Sequence, residues 1–166
     1  DMPAVFPPLL ETNKNWTVAC WVYLDTLSPG GGNVRAWEIR RTSDNARVAL
    51  TFLPGDGFLT AFIFEPNDTG DCRVDFVPSV STWYHVAVTF AEGSQTLSMY
   101  IDGALFGTDT FGATAITGYD AGRVGDSNGG TSEWEGRIDD LRIYDVPLQP
   151  YQVRALYEET VLDRPE

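Results

Sequence analysis

His85 is the single histidine of the chain. In "WYHVAVTF" (83–90) it shares a strand face with Trp83, Ala87 and Thr89. An imidazole can act as a base or a metal ligand. With no second histidine and no fixed nucleophile beside it, His85 is expected to hold a structural, hydrogen-bonded position, and Trp83 to lie in the core. Glycoside hydrolysis needs two carboxylates about 5 Å or roughly 6.5–9.5 Å apart. Glu133 and Glu135 are two residues apart in "EWEGRIDD" (133–140), but the next acid, Asp139, follows a glycine at a strand entry. No Gly-x-Ser-x-Gly elbow and no phosphate-cradling glycine loop with lysine occurs. The residues therefore point away from catalysis.

Calcium takes oxygen ligands from Asp, Asn and backbone carbonyls. Asp139 is the first candidate ligand, and "NDTGD" (67–71), with Asp68 and Asp71, the second; no EF-hand loop is present. A saccharide site needs an aromatic platform for the apolar sugar face and short polar groups for its hydroxyls. Trp37, Tyr119 and Trp134 are the candidate aromatics, although Trp37 also suits the core. Arg40, Asp126, Ser127 and Asn128 are the candidate polar groups, the last three in the Gly-rich stretch "DSNGGTS" (126–132), which is equally readable as a plain connection.

These side chains need a scaffold of strands. "NWTVACWVYLDTL" (15–27) places Trp16, Val18, Cys20, Val22 and Leu24 on one face and Thr17, Ala19, Trp21 and Tyr23 on the other. Both sets are largely apolar, so this strand is expected to be covered on both sides. "VRAWEIRR" (34–41) alternates, with Val34, Ala36, Glu38 and Arg40 opposing Arg35, Trp37, Ile39 and Arg41. Short strands separated by "SDN", "PGDG", "AEGSQ" and "DG" continue the pattern, and "PYQVRALYEE" (150–159) is the one expected helix. The whole implies one all-β antiparallel sandwich over residues 1–160, with 161–166 as tail or linker.

Eleven basic residues against 24 acidic ones give a net charge of −13, which argues against nucleic acid and anionic membrane surfaces as partners. The five Trp, seven Tyr and nine Phe argue against disorder. No apolar run reaches the roughly 18 residues of a membrane span. The abrupt start at "DMPAVFPPLL" reads as an excised domain or processed product. Cys20 and Cys72 match no zinc motif; a disulfide in an oxidising compartment and two buried thiols both remain open. The sequons Asn15-Trp16-Thr17 and Asn67-Asp68-Thr69 would matter only in a eukaryotic secretory pathway.

Two stretches carry more than a class. "STWYHVAVTFAEGSQTLSMYIDG" (81–103) and "WEGRIDDLRIYDVPLQPYQVRALYE" (134–158), in that order and separation, resemble a laminin-G-like domain of the concanavalin A-like lectin/glucanase superfamily. The resemblance spans about residues 13–158, and the middle, 30–80, matches only generally. It implies a jelly roll of two antiparallel sheets, one concave. The superfamily's hydrolase branch carries a Glu-x-Asp-x-(x)-Glu pattern that does not occur in this sequence, and the resemblance allows calcium as a cofactor. The expected function is a non-catalytic, extracellular recognition module, linked to other domains, that binds carbohydrate or another surface ligand. The alternative is a structural or adhesion module of a cell-surface assembly or virus particle that binds protein neighbours.

Along "RIDDLRIYD" (137–145), strict alternation puts Asp139 with Leu141 and Ile143 at the core edge and Asp140 with Arg142 on the surface. On that assignment Asp139→Ala would cost more stability than Asp140→Ala.

Overall fold

A computed structural model describes residues 15–28, 32–66, 72–112, 118–126 and 133–162. The described residues form strands β1 (Trp16–Leu24), β2 (Val34–Arg40), β3 (Arg47–Leu53), β4 (Phe58–Phe64), β5 (Cys72–Phe76), β6 (Trp83–Ala91), β7 (Thr96–Ile101), β8 (Ala104–Thr110), β9 (Ala121–Val124) and β10 (Gly136–Tyr144), then helix α1 (Pro150–Val161). Two five-stranded sheets result, in the orders β10-β1-β6-β7-β8 and β5-β4-β3-β2-β9. Every pairing is antiparallel. This is the expected jelly-roll sandwich with one C-terminal helix.

β1 lies between β10 and β6 and is buried along almost its whole length. Its inward residues Trp16, Val18, Cys20, Val22 and Leu24 join Trp37, Ile39, Leu50, Phe52, Phe90 and Phe111 in the core between the sheets. Trp16 stacks on Phe90 at 6.0 Å and meets Trp37 edge-on at 6.5 Å. Rings of this size, fully buried, dominate a core's transfer energy; truncating one to Ala costs roughly 3–5 kcal/mol.

The other face of β1 is covered by α1, as the two-sided apolar pattern requires. Val153 and Leu156 of the helix pack with Ala19, Ala87, Tyr100 and Leu148. The Trp21 indole N–H donates to Thr160 Oγ1 at 3.0 Å, and its ring meets Tyr157 at 5.7 Å. The link into the helix is pinned by Thr17, whose hydroxyl donates to the Val146 carbonyl at 2.8 Å and accepts the Leu148 N–H at 2.9 Å. Pro150 opens the helix, and the Gln149 N–H donates to Gln152 Oε1 at 2.8 Å. The turn Asp102-Gly103, with φ of +51° and +76°, lies beneath it. A Cβ at Gly103 would sit 3.0 Å from Tyr157 and Arg154 side-chain atoms, so the turn and the helix both require glycine there.

Two bulges break the strand alternation. In β2 the register shifts between Arg35 and Trp37, so Val34, Trp37 and Ile39 face the core and Arg35 joins Glu38 on the opposite side. The expected grouping of Arg35 with Trp37 is thereby corrected. In β10 the register against β1 passes from Arg142 opposite Ala19 to Asp139 opposite Trp21, with Asp140 at φ +49°. The extra residue turns Ile138, Leu141 and Ile143 toward the core and leaves Asp139 exposed. The expectation that Asp139 points to the core edge is overturned, for strict alternation does not survive a bulge. Asp140 takes the left-handed conformation that Asp tolerates better than most residues, and its N–H donates to Asp139 Oδ1 at 2.8 Å. The expected Asp140–Arg142 pair is present at 2.9 Å.

Asp140→Gly and Asp140→Ala delete the same carboxylate but differ in left-handed strain. The alanine variant should be less stable than the glycine variant by about 1 kcal/mol in urea unfolding. At the hairpin, burial lifts the Asp102 carboxyl above its ordinary range, only partly offset by the His85 N–H that it accepts at 2.9 Å. A raised carboxyl in the folded state contributes stability below its unfolded pKa and loses it as pH rises. Asp102→Asn keeps the acceptor and the turn, so it should raise the unfolding midpoint at about pH 7 and lose that advantage near pH 3.

Candidate ligand-binding face

With α1 on the first sheet, the outer face of the second sheet is the broad surface that no helix among the described residues covers. Strand register lays its outward side chains in three rows. Arg123, Glu38, Ala49, Phe62 and Arg73 form the middle row, from β9 across to β5. Ala121, Arg40, Arg47 and Phe64 form a second. Arg35, Thr51, Thr60 and Asp75 form the third. Five of the eleven basic residues of the chain stand on this one face. Among the described residues these five stand with the carboxylates Glu38, Asp75 and Asp126, a local excess of two positive charges in a chain of net −13.

The floor of the face is buried although it points away from the core. Ala49 is 0 % exposed, and Glu38, Thr51 and Thr60 are each 1 % exposed. Arg35 Nε lies 3.0 Å from Glu38 Oε2, and Arg40 Nη1 lies 3.9 Å from Oε1. Arg40 stands directly opposite Arg47, a like-charge cross-strand pair that costs stability by itself. The Arg47 guanidinium is held over the rings of Phe64, at 4.6 Å, and Phe62, at 5.5 Å. Thr60 donates its hydroxyl to Asp75 Oδ1 at 2.7 Å, and Asp75 also pairs with Arg73. Asp126 pairs with Arg123 at 3.3 Å. Thr51 Oγ1, Arg40 Nε and Glu38 Oε1 are buried atoms with no hydrogen-bond partner. Buried polar atoms left in that condition cost about 1–3 kcal/mol each, so the floor is held at an energetic cost.

One end of the face is clamped. Arg41 donates to both oxygens of Asp44 at 2.8 Å and to Glu65 Oε2 at 2.7 Å. The Arg41 hydrogen bonds hold the Asp44 carboxyl below its usual range. Asp120 accepts the Thr42 N–H at 2.8 Å and its hydroxyl at 2.6 Å, which lowers its carboxyl too.

Of the sequence-derived candidates, Arg40 and Asp126 stand on this face. Trp37 and Tyr119 do not; they are buried to 0 % and 1 % exposure inside the sandwich. Trp134 is buried as well, with its indole N–H donating to the Tyr23 carbonyl at 3.2 Å. None of the three presents a ring for stacking, because the β2 bulge turns Trp37 inward and the other two close the core edge. Asn128, Ser127, Asp68 and Asp71 lie outside the described residues. Asp139 lies on the first sheet, and among the described residues no group of three or more His, Cys, Asp or Glu is gathered that could hold a metal ion. His85 is buried between sheet and helix, 5.3 Å from Trp21. Trp83, expected in the core, is instead half-buried on the outer side of the first sheet, 5.3 Å from Tyr23. Arg35, Glu38, Arg47, Phe62 and Arg123 were missed as site residues. The available signal was arginine in each of β2, β3, β5 and β9 of an acidic chain.

Cys20 and Cys72 are buried thiols in opposite sheets. Burial, reinforced by the charge of Asp109, pushes the Cys72 thiol up to about 12.

A family model described as the Concanavalin A-like lectin/glucanases superfamily matches residues 3–154. No curated protein matches the chain. Among solved structures the chain is similar to Ruminococcus gnavus IT-sialidase CBM40 bound to alpha2,3 sialyllactose, at 14 % identity and a TM-score of 0.68, covering 86 % of this chain and 82 % of that one. It is similar to the native heptameric SAP-like pentraxin of Limulus polyphemus at 14 % identity and a TM-score of 0.61, covering 87 % and 70 %. The receptor binding domain of botulinum neurotoxin C/D mosaic serotype matches at 14 % identity and a TM-score of 0.69, covering 95 % of this chain but 38 % of that one. At such identities the likeness is one of fold.

The thiol geometry gives a direct check. Without reductant, both thiols should react with a maleimide in denaturant, whereas in the native protein at neutral pH Cys72 should stay unlabelled over the same interval.

Proposed function

The chain belongs to the concanavalin A-like lectin/glucanases superfamily, and on that premise we propose that it is a non-catalytic recognition module binding a saccharide on the outer face of its second sheet. The observation that carries this reading is the face itself: arginines and two phenylalanines brought side by side by strand register over a polar floor. Hydroxyl-rich ligands need such convergent donors and acceptors beside apolar contact area. A face made only for protein neighbours would be more apolar.

Catalysis is disfavoured by what the carboxylates do. Glu38, Asp75 and Asp126 each pair with an arginine of the same face. The R. gnavus module and the neurotoxin domain, both of this fold, are described by what they bind, which favours a binding role here by analogy. No helix among the described residues is long and apolar enough to cross a membrane. An extracellular or surface-exposed setting suits a saccharide reader. Calcium has no assigned place in this reading.

A broad glycan array, backed by affinity gel electrophoresis with soluble polysaccharides, tests the proposal. At least one saccharide class should be retained by the folded protein, with no release of reducing sugar; silence across the whole panel would sink it.

A further inference from the structure

The charge of the face is opposite to that of the chain, and this deepens the preceding reading, on which it rests. We propose that the saccharide carries a carboxylate, that the carboxylate is held by Arg40 and Arg47, and that Glu38 is a built-in competitor for it. Arginine presents a planar fork that pairs with a carboxylate through two parallel hydrogen bonds. Arg40 and Arg47 face each other across β2 and β3, so their charges repel and an anion between them relieves the repulsion. Glu38 is bound closely to Arg35 at 3.0 Å and only loosely to Arg40 at 3.9 Å, while Arg47 donates from Nη1 to the Asn45 carbonyl at 3.1 Å. Arg40 Nε and Glu38 Oε1 are left without hydrogen bonds.

The surroundings suit an acidic sugar better than a small inorganic anion. The Arg47 guanidinium lies over Phe64 and Phe62, whose rings border the site with apolar surface. Arg123 flanks Glu38 from β9 and widens the positive rim. The chain as a whole is acidic, so an acidic saccharide is favoured where these arginines gather.

The test uses sialyllactose and oligogalacturonate, each beside its carboxyl-reduced, neutral counterpart, and a sulfated oligosaccharide as a further arm. Calorimetry on the folded protein should show an acidic sugar binding at least about tenfold more tightly than its neutral form. The preference should shrink as salt rises from about 50 mM to about 500 mM. Arg47→Gln and Arg40→Gln should each abolish most of that preference. Arg40→Gln risks the fold, because it strips a counter-ion from buried Glu38, so Arg47→Gln is the primary variant and melting curves accompany both. Glu38→Gln should act in the opposite direction and tighten acidic-sugar binding several-fold, a gain that loss of structure would not produce. Equal binding of neutral and acidic forms would overturn this proposal and leave the saccharide reading standing. Binding of the sulfated sugar alone, or no tightening by a folded Glu38→Gln, would overturn it too. Absence of any saccharide binding would remove both readings.

Discussion

The molecule is organised by the double-sided burial of β1. A strand apolar on both faces cannot end a protein; it needs a cover from each direction. The second sheet supplies one cover, through the core that Trp16, Cys20 and Leu24 share with Trp37, Leu50 and Phe52. Helix α1 supplies the other, against Ala19 and Trp21. Layering then follows as helix, sheet, sheet. The outer face of the second sheet is the face left without a helix among the described residues, and the chain's arginines are concentrated there.

Much of this was legible from sequence. The two-sided pattern of residues 16–24, the hairpin at Asp102-Gly103 and the helix opened by Pro150 all follow from local rules that the structure obeys. The errors cluster where a single residue disturbs a period of two. An inserted residue in β2 reassigns Arg35, and one in β10 reassigns Asp139. Bulges leave little trace in composition: Asp140 is a plausible left-handed residue, but aspartate is equally common at a strand end. The same disturbance explains why Trp37 was read as a possible platform and is instead core, and why the face was found through Arg40 without its neighbours.

The site is electrostatically costly to hold. Burying Glu38 among Arg35 and Arg40 removes charged groups from water, and the cross-strand Arg40–Arg47 pair adds repulsion. A face selected only for stability would carry threonine and valine at those positions. Arg47 against two phenylalanine rings, and Arg41 clamped by Asp44 and Glu65 at the end of the same sheet, offset part of that cost. Side chains held by such contacts have little rotamer freedom left to lose.

The stretches that announce the superfamily are the ones that build the scaffold. Residues 81–103 and 134–158 form the central hairpin, the closing strand and the helix, and their side chains serve the tie of α1 to the first sheet: His85 and Asp102 at the turn, Leu148 on Thr17, Leu156 and Tyr157 over β1. The candidate face is made almost entirely by residues 34–76, together with β9. The family model runs through those strands as well, over residues 3–154; their inward residues fill the core while their outward residues are released from it. Motif resemblance therefore identifies the sandwich and says little of its ligand. The outward residues of β2 to β5 are the positions where a sandwich of this kind is free to acquire one.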